Sequence, residues 1–533
     1  MVRYTLIVAM CLGILFDGFF AVINFYPVAP HSSRGHTRYI VMRLDEDQAA
    51  WFRSNILVDF NTEAHADIQL IAVEDEEKLL PAAAEAAKQG KDVVLVELPT
   101  TQVPQATSSK AVRSFADSVG GGRIAQDLGV LGDKVLAPGK VGGAQYFLPA
   151  MALVDVAVYR GSKVRDAILH WSALRPQIDE ALKKVNGHGL PAGFDLDLSP
   201  SNWDSYDLFV LGYYWAHRSY RGQPPKPRVV HRTGEEIDGQ LDIAAGLYRS
   251  GATDKTFATT DSQPARDYFQ WETLMHAEGV YPPEMDKPFD DEAVVDGLVK
   301  GDLYFATIDS MEAFDIHGGA YAGAVAHAKN PADLEFTAIP RGASLALDAH
   351  NKPARETPTF SFREDWVWAL PASAHDTDIG YQLVRFLWRP EIHARECEAF
   401  GTMPLQPEVV AERVSRFRLE WMSHVFAASL AQAQHGEPVP DMLSTRGLGS
   451  IYAQLWTTIV AGGVPPSPAD AIAAILRAPP APRAPPAEAA APDEGEGSNT
   501  DQGSAEPPAA EDWESNVHLD LHDAAVGSGS DKR

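Results

Sequence analysis

Asp365-Trp366-Val367-Trp368-Ala369-Leu370-Pro371 is the stretch that decides the fold. Its short apolar run predicts a strand, and two tryptophans two positions apart lie on one face of a strand. A helix-like segment follows, and then Phe400-Gly401-Thr402-Met403-Pro404-Leu405, which contains a Gly-x-x-Pro turn. This order suits a ligand-binding cleft at a point where the chain crosses between two lobes.

The segments upstream of this stretch alternate between strand and helix patterns. Apolar runs predict strands at residues 39–42, 68–73 and 92–98, and helical spacing predicts helices at 48–61 and 76–89. This alternation is typical of a parallel, doubly wound sheet. Ligands bind outside the carboxyl ends of such strands, which makes Asp45-Glu46-Asp47 and Pro99-Thr100-Thr101 candidate contacts.

The middle of the chain continues the pattern. We predict one strand over residues 152–159, helix-like aromatic segments over 162–222, and a helix over 289–300 that Gly301 ends. Apolar runs at 303–308 and 335–340 predict further buried strands. The whole chain is therefore predicted to be an α/β protein.

Length and charge limit the partners. The chain has 533 residues, which exceeds one hydrophobic core and indicates two lobes or domains. It carries 73 Asp and Glu against 45 Lys and Arg, a formal net charge of −28. This charge argues against nucleic acid or an anionic bilayer surface as a partner and favours a neutral or cationic ligand.

The two ends differ from the body in composition. Residues 4–28 are apolar enough to cross a membrane, although Asp17 interrupts them. We expect residues 1–37 to be a signal or a membrane anchor, with the uncleaved anchor favoured because no small-x-small site follows convincingly. Residues 478–533 are rich in Pro, Ala and acids, which predicts a disordered acidic tail.

Catalytic and metal-binding patterns are missing from the sequence. It contains no Gly-x-Ser-x-Gly elbow, no phosphate-binding loop and no His-Glu-x-x-His helix. Cys11 and Cys397 are the only cysteines, so neither a disulfide framework nor a Cys-rich metal site is expected. We therefore expect no enzyme activity, cofactor or metal. Aromatic and carboxylate side chains remain, and these suit the faces and hydroxyls of sugars, or cations.

The order of these segments resembles that of the family 1 extracellular solute-binding proteins, the binding subunits of ABC importers. The resemblance covers residues 38–477 and rests on ordered motifs: Gly90-Lys91-Asp92-Val93-Val94, Gly143-Ala144-Gln145-Tyr146-Phe147-Leu148-Pro149, Ile339-Pro340-Arg341-Gly342, Phe386-Leu387-Trp388-Arg389-Pro390-Glu391 and Gly401-Thr402-Met403-Pro404. It departs at Asp309-Ser310-Met311, where the family often has Gly-x-Trp. There a carboxylate would replace an aromatic ring facing the ligand.

The resemblance implies a two-lobed, type II binding-protein fold in which each lobe is a sheet flanked by helices. It assigns residues 38–155 plus 360–410 to lobe 1 and 156–359 plus 411–477 to lobe 2. The cleft between them would capture a small solute by hinge closure. The expected ligand is a carbohydrate, with a polyamine or another cation as the alternative.

The expected protein is a monomer that is periplasmic or extracytoplasmic, tethered by its N-terminal segment, and that serves an ABC permease. Two other classes remain open: a membrane-anchored sensory or adaptor protein with this fold, and an enzyme of unknown class. The predicted cleft residues share an aromatic ring, a hydroxyl or a carboxylate, and each aromatic could instead pack in a core. They are Glu46, Thr100, Tyr146, Trp203, Tyr206, Asp309, Trp366 and Trp368.

Overall fold

Two large sheets organise the protein in this computed structural model, which describes residues 36–218, 225–234, 236–317, 328–403, 420–439 and 447–462. The first sheet has seven strands and the second has four. The longer strands and those of the second sheet are numbered along the chain: β1 (Arg38–Arg43), β2 (Ile68–Val73), β3 (Asp92–Pro99), β4 (Leu148–Val154), β5 (Val156–Arg160), β6 (Val229–Val230), β7 (Phe305–Ile308), β8 (Leu334–Thr337) and β9 (Phe362–Pro371).

The parallel part of the first sheet is formed by β1, β2 and β3. β1 lies between the other two strands and pairs in parallel with both. The run from Val93 to Val96 in β3 is fully buried, as expected for a strand with helices on both faces. The predicted strand at 68–73 is confirmed to the residue.

The stretch that decides the fold is the central antiparallel strand of this sheet. β9 pairs with β3 along one edge and with β4 along the other, and both pairings are antiparallel. The parallel sheet predicted from the alternating strands is confirmed for β1, β2 and β3, and β9 adds an antiparallel strand to it. A strand that returns from a distant part of the chain can enter a sheet in either direction, and local periodicity does not record the direction.

The second sheet has the strand order β8, β5, β7, β6. β5 is antiparallel to β8 and β7, and β7 is parallel to β6. The single strand predicted over residues 152–159 is wrong, because the run breaks at Asp155 into β4 and β5. Asp155 is held by Arg232 at 2.6 Å, so the chain leaves the first sheet here and enters the second.

Helices cover both sheets. They comprise Glu46–Phe52, Val58–Ala64, Leu79–Lys88, Val103–Ser108, Gly121–Leu128, Gly132–Leu136, Gly161–His170, Arg175–Asn186, Ser205–His217, Ile237–Arg249, Asp254–Phe257, Gln263–Ala277, Asp291–Lys300, Ser310–His317, Thr377–Leu387, Pro390–Phe400, Glu420–Ala433 and Leu448–Trp456. Gly301 ends one of them in the left-handed conformation, with φ of 76°, as predicted.

Two hydrophobic cores correspond to the two sheets. One is built around β1, β3 and β9, and the other around β5, β7 and the helices beside them. Phe362, Cys397 and Met403 pack with the second core, although the expected boundary places residues 360–410 in lobe 1. The exact lobe boundaries therefore stay a prediction.

The N-terminal signal or anchor and the acidic tail fall, except for residues 36 and 37, outside the described residues. Pro404 of the Gly-x-x-Pro turn is outside them as well. Across the described ranges, no helix is both long and apolar enough to cross a membrane.

Candidate functional site

Several polar side chains lie at one end of the first sheet, where its parallel strands terminate. Arg43 ends β1, and Thr100 directly follows β3. Because β9 is antiparallel to β3, the beginning of β9 lies at this same end of the sheet. Trp366 is opposite Pro99, the last residue of β3. Glu364 is two positions earlier on the same face of β9, so it points the same way as Trp366.

Charged side chains also lie at one end of the second sheet. Arg232 and Asp309 follow β6 and β7, which are parallel, while Asp155 precedes the antiparallel β5. All three residues therefore lie at the same end of the second sheet. Asp238 joins them from the first turn of the helix Ile237–Arg249.

Arg43, at the end of β1, is influenced by charges of both lobes. Burial lowers the pKa of Arg43, but the negative charges of Asp309 and Asp238 in the second lobe, and of Glu76 and Glu364 in the first, raise it overall. Both lobes therefore contribute carboxylates to the electrostatic surroundings of Arg43.

A second arginine is locked inside the second lobe. The Arg232 side chain is 1% exposed and forms ion pairs with Asp155 at 2.6 Å and Asp242 at 3.2 Å. Glu312 and Asp238 lie farther away, at 3.7 and 3.8 Å. These charges hold the pKa of Arg232 well above its ordinary value despite burial. Arg232 thus fixes the start of β5 to the end of β6.

Carboxyl groups outnumber guanidinium groups in this region. Burial raises the pKa of Glu364 well above its ordinary value, and the charges of Asp238, Asp155 and Asp309 raise it further. Burial likewise raises the pKa of Glu76 to about 7. Within the described part of the chain, no three His, Cys, Asp or Glu side chains are grouped to hold a metal ion. Carboxylates can accept hydrogen bonds from the hydroxyl or ammonium groups of an organic ligand.

Trp366 lies beneath Arg43. The guanidinium carbon of Arg43 is 5.8 Å from the centre of the Trp366 ring, a cation–π contact. Trp366 is 1% exposed, and its indole Nε1 has no hydrogen-bond partner among the described residues. A buried donor without a partner is costly, and a ligand acceptor or an ordered water at this position would satisfy it.

Comparison with solved structures identifies the architecture. The GacH receptor of Streptomyces glaucescens GLA.O, solved unliganded and with acarbose, matches with a TM-score of 0.58 and 13% identity over 82% of this chain and 96% of that one. Maltose-bound T. maritima MalE3 matches with a TM-score of 0.57 and 10% identity, covering 83% of this chain and 98% of its own. The chain has the two-lobed fold of the solute-binding proteins.

A third structure agrees. The maltose-binding periplasmic protein MalE from Listeria monocytogenes, in complex with maltose, has a TM-score of 0.56 and 13% identity over 83% of this chain and 97% of that one. The predicted fold class, two α/β lobes with sheets flanked by helices, is thereby confirmed. No family model matches the sequence, and no curated protein matches it.

Of the predicted residues, Thr100 and Trp366 lie at this end of the first sheet and Asp309 lies at the corresponding end of the second sheet, and their contact with a ligand stays a prediction. Asp309 also starts the helix Ser310–His317. Its Oδ1 accepts from the amide of Glu312 at 2.8 Å, while the Glu312 carboxylate accepts from the amide of Asp309 at 2.7 Å. The Asp309 carboxylate is thus held in a fixed position.

Glu46 lies at the same end of the first sheet, in the first turn of the helix that follows β1. It is exposed and lines a groove of about 470 Å³ with Glu74, Asp75 and Lys78. The groove follows the ends of β1 and β2. Glu46 is therefore close to the cleft edge without belonging to the Arg43 cluster.

Tyr146 and Trp368 lie elsewhere in the first lobe. Tyr146 lines a groove of about 620 Å³ with Arg113, which pairs with Leu370 near the far end of β9. It is therefore at the opposite end of the sheet from Arg43. Trp368 is 2% exposed and pairs with Glu97 in the interior of the lobe.

Trp203 and Tyr206 occupy the core of the second lobe. Both are fully buried, and Trp203 donates from Nε1 to the carbonyl oxygen of Asp197 at 2.9 Å. The Tyr206 hydroxyl donates to the carbonyl oxygen of Leu345 at 3.0 Å, and its ring packs edge-on against Trp271. These contacts correspond to core packing, the alternative that the sequence left open for the aromatics.

Sequence reasoning missed the charged residues that dominate the site. Arg43, Arg232, Asp238 and Glu364 were not among the predicted contacts. The position of Arg43 at the very end of an apolar strand was the available signal, because such positions border the cleft. Nothing local marks Arg232 or Glu364, since their partners are far away in the sequence.

Proposed function

We propose that this chain is an extracytoplasmic solute-binding protein that captures a small solute, preferably a carbohydrate, and delivers it to an ABC permease. The observations that carry the proposal are the two-lobed fold, shared with structures solved with acarbose and maltose, and the charged residues at the strand ends of both lobes, Arg43 in one and Asp309 and Asp238 in the other. A ligand between these groups would contact both lobes at once. Such contacts are what couples binding to closure.

Hinge closure would proceed about the crossings between the lobes. The chain crosses at Asp155, between β4 and β5, and it returns near Phe362 at the start of β9. An open form would separate Arg43 from Asp309. A ligand that binds both would then favour the closed form by its differential affinity.

The groups at the cleft suit a hydroxylated ligand. The carboxylates of Asp309 and Glu364 can accept hydrogen bonds from sugar hydroxyls, and the Trp366 indole can donate one. The neighbours in fold include proteins solved with maltose and acarbose. This support extends to ligand class, and the particular sugar is left to experiment.

The remaining parts of the proposal concern the cellular setting. We propose a monomer with no enzyme activity and no cofactor, located in the periplasm or its equivalent and tethered by residues 1–37. The acidic charge of −28 supports a partner other than nucleic acid. Loss of solute uptake on deletion of the gene would distinguish transport from a sensory role.

Binding can be tested directly with the purified protein. Intrinsic tryptophan fluorescence and calorimetry would be measured with maltose, maltotriose, glucosamine and spermidine. Saturable binding is expected for at least one of the sugars, and Asp309→Asn should weaken it by about tenfold or more. Asp133→Asn, at a side chain 96% exposed in the first lobe, is the matched control. Absence of binding to every probe would reject the proposed function.

A further inference from the structure

We propose that His231 and Glu272 form a pH-sensitive ion pair inside the second lobe, in which a proton on the His231 ring joins the end of β6 to the helix Gln263–Ala277 and is released as the pH rises. The pair lies in the interior of this lobe, and its chemistry does not depend on the solute. Two features carry the assignment: the hydrogen-bond partners of the two side chains, and a cavity beside them.

Both nitrogens of the His231 ring face hydrogen-bond acceptors. Nδ1 lies 2.8 Å from the carbonyl oxygen of Arg232, and Nε2 lies 2.8 Å from Oε2 of Glu272. A carbonyl oxygen can only accept, so Nδ1 must carry a proton. A carboxylate can also only accept, so the contact at Nε2 needs a second proton. The geometry is therefore that of a doubly protonated, positively charged ring.

Glu272 is surrounded by donors. Its Oε2 accepts from the indole Nε1 of Trp456 at 2.9 Å, and its Oε1 accepts from the Tyr281 hydroxyl at 3.2 Å. With His231, three donors therefore point at one carboxyl group, an arrangement that suits a carboxylate anion. An imidazole is also more basic than a carboxyl group, by about two pKa units in model peptides. The shared proton therefore lies on His231.

The pair is enclosed by protein. The His231 side chain is 14% exposed and that of Glu272 is 9% exposed. The rings of Tyr281 and Trp456 pack edge-on against the imidazole, with ring centres 5.5 and 6.1 Å away. Removing one charge from an ion pair in such surroundings leaves the other charge uncompensated.

The charges around the ring favour its protonated form. Burial lowers the pKa of His231, but the charge and the hydrogen bond of Glu272 raise it. The charge of Asp242 and the backbone carbonyl of Arg232 add to the rise, which leaves the pKa above its ordinary value of 6.5. Asp242 is itself held by Arg232 at 3.2 Å, so Glu272 is the direct partner of the ring.

A cavity of about 80 Å³ borders the pair. His231 and Glu272 line it, together with apolar side chains of β6 and β7 and with Tyr268. The Tyr268 hydroxyl is buried and has no hydrogen-bond partner among the described residues. A polar cavity of this size can admit water, since one molecule needs about 10–15 Å³. Water that enters it would carry protons to and from the His231 ring.

The other titratable groups at the cavity do not take the place of this pair. Burial holds the pKa values of the Tyr268 and Tyr281 hydroxyls well above their ordinary value, so both stay neutral. Arg249 and Arg341 also line the cavity. Each of these arginines donates to a backbone carbonyl oxygen, at 2.9 and 2.8 Å.

Loss of the proton would break one of the two ring contacts. A neutral imidazole has a single N–H, so a lone pair would face either the Glu272 carboxylate or the Arg232 carbonyl oxygen. His231 also directly precedes Arg232, which holds Asp155 at the crossover between the sheets. The pair therefore stabilises the lobe fully below pH 6.5, and this contribution is lost as the pH rises through the raised pKa of His231.

Nitrogen NMR of the full chain with isotope-labelled histidine measures the protonation state directly. The His231 signals are assigned by their loss in His231→Gln. Both ring nitrogens should still be protonated above pH 6.5, the ordinary histidine value, and one proton should leave at higher pH. A His231 ring that is already neutral at pH 6.5, or one that never loses its proton in the folded protein, would overturn the proposal.

Urea denaturation relates this proton to stability. His231→Gln keeps one N–H donor but cannot titrate. The urea midpoint of the wild type should exceed that of the variant most at pH 6.5 and below, and the difference should fall by at least about half once the ring has lost its proton. Groups that titrate in both proteins cancel in the difference. A difference that does not change with pH would refute the proposal.

Two more variants complete the test. In Glu272→Gln, His231 should lose its proton at a lower pH than in the wild type, and this shift identifies the His231 signals even if His231→Gln does not fold. An unchanged titration would reject Glu272 as the partner. His276→Gln is the matched control, because His276 lies 2.7 Å from Asp286 in a more exposed pair, and its effect on the urea midpoint should be small at every pH. Equal pH dependence in the control would count against a special role for the buried pair.

Discussion

The Arg232 guanidinium lies 2.6 Å from the Asp155 carboxylate, and this ion pair joins the end of β6 to the point where the chain passes between the two sheets. Both side chains are almost completely buried, at 1% and 7% exposure. The pair therefore fixes the crossover to the second lobe.

Removing the arginine should be strongly destabilising. Arg232→Met would leave Asp155 and Asp242 buried without a cation, at a cost of about 3–5 kcal/mol in the free energy of unfolding. Urea denaturation measures this loss. Arg165→Met, which breaks an exposed pair with Glu335, should cost less than about 1 kcal/mol. Similar losses in the two variants would show that the buried pair has no special role.

The two tryptophans of β9 should respond differently to replacement by phenylalanine. Trp366→Phe removes an indole N–H that has no partner among the described residues, so binding of the preferred sugar should weaken by about tenfold, and the gap left by this buried ring should cost about 1–3 kcal/mol. Trp368→Phe leaves a gap in the core and should cost about 1–3 kcal/mol without changing affinity. Calorimetry and urea denaturation of both variants distinguish these effects, and the reverse pattern would contradict the placement.

Glu97 should make stability fall as pH rises. Burial raises its pKa to about 8, with Glu396 adding to the rise and Arg43 opposing it. The folded state then binds a proton that the unfolded state releases near pH 4.5, so stability declines from that pH upward until the decline is complete above about pH 8.

Glu97→Gln removes this contribution. The variant should gain stability relative to the wild type at pH 8–9, on the order of 2–4 kcal/mol, and show little difference below pH 4.5. Its amide oxygen can still accept from the backbone N–H of Arg43, a bond of 3.2 Å in the wild type. Urea denaturation across this range gives the result, and parallel pH profiles for the two proteins would refute the prediction.

Gly401 and Gly301 form a matched pair for backbone strain. Both have positive φ, but a Cβ at Gly401 would lie 2.5 Å from the carbonyl oxygen of Ser310, whereas at Gly301 the nearest atom is 3.7 Å away. Gly301→Ala should therefore cost about 1 kcal/mol, and Gly401→Ala about 2–4 kcal/mol. Thermal and urea unfolding would measure both, and equal costs would argue against the close approach at Ser310.

The sequence predicts the elements of this fold better than it predicts its cleft. The apolar run at residues 68–73 predicts β2, and Gly301, a residue that tolerates positive φ, predicts the end of its helix. The break between β4 and β5 at Asp155 could not be predicted, because it depends on Arg232, which is distant in the sequence. Trp203 and Trp366 illustrate the same limit: both have polar neighbours, yet strand pairing places Trp366 near the end of the first sheet, while long-range packing places Trp203 in a core.

The insertion of β9 between β3 and β4 also constrains how the protein can form. Both of its neighbours precede it by a large part of the chain, so during synthesis the inner edges of β3 and β4 stay unpaired until residues 362–371 emerge. Long-range pairing of this kind slows folding and leaves strand edges open to aggregation. A chain truncated before Phe362 would lack the strand that joins these two edges, so synthesis of most of the second lobe must precede completion of the first.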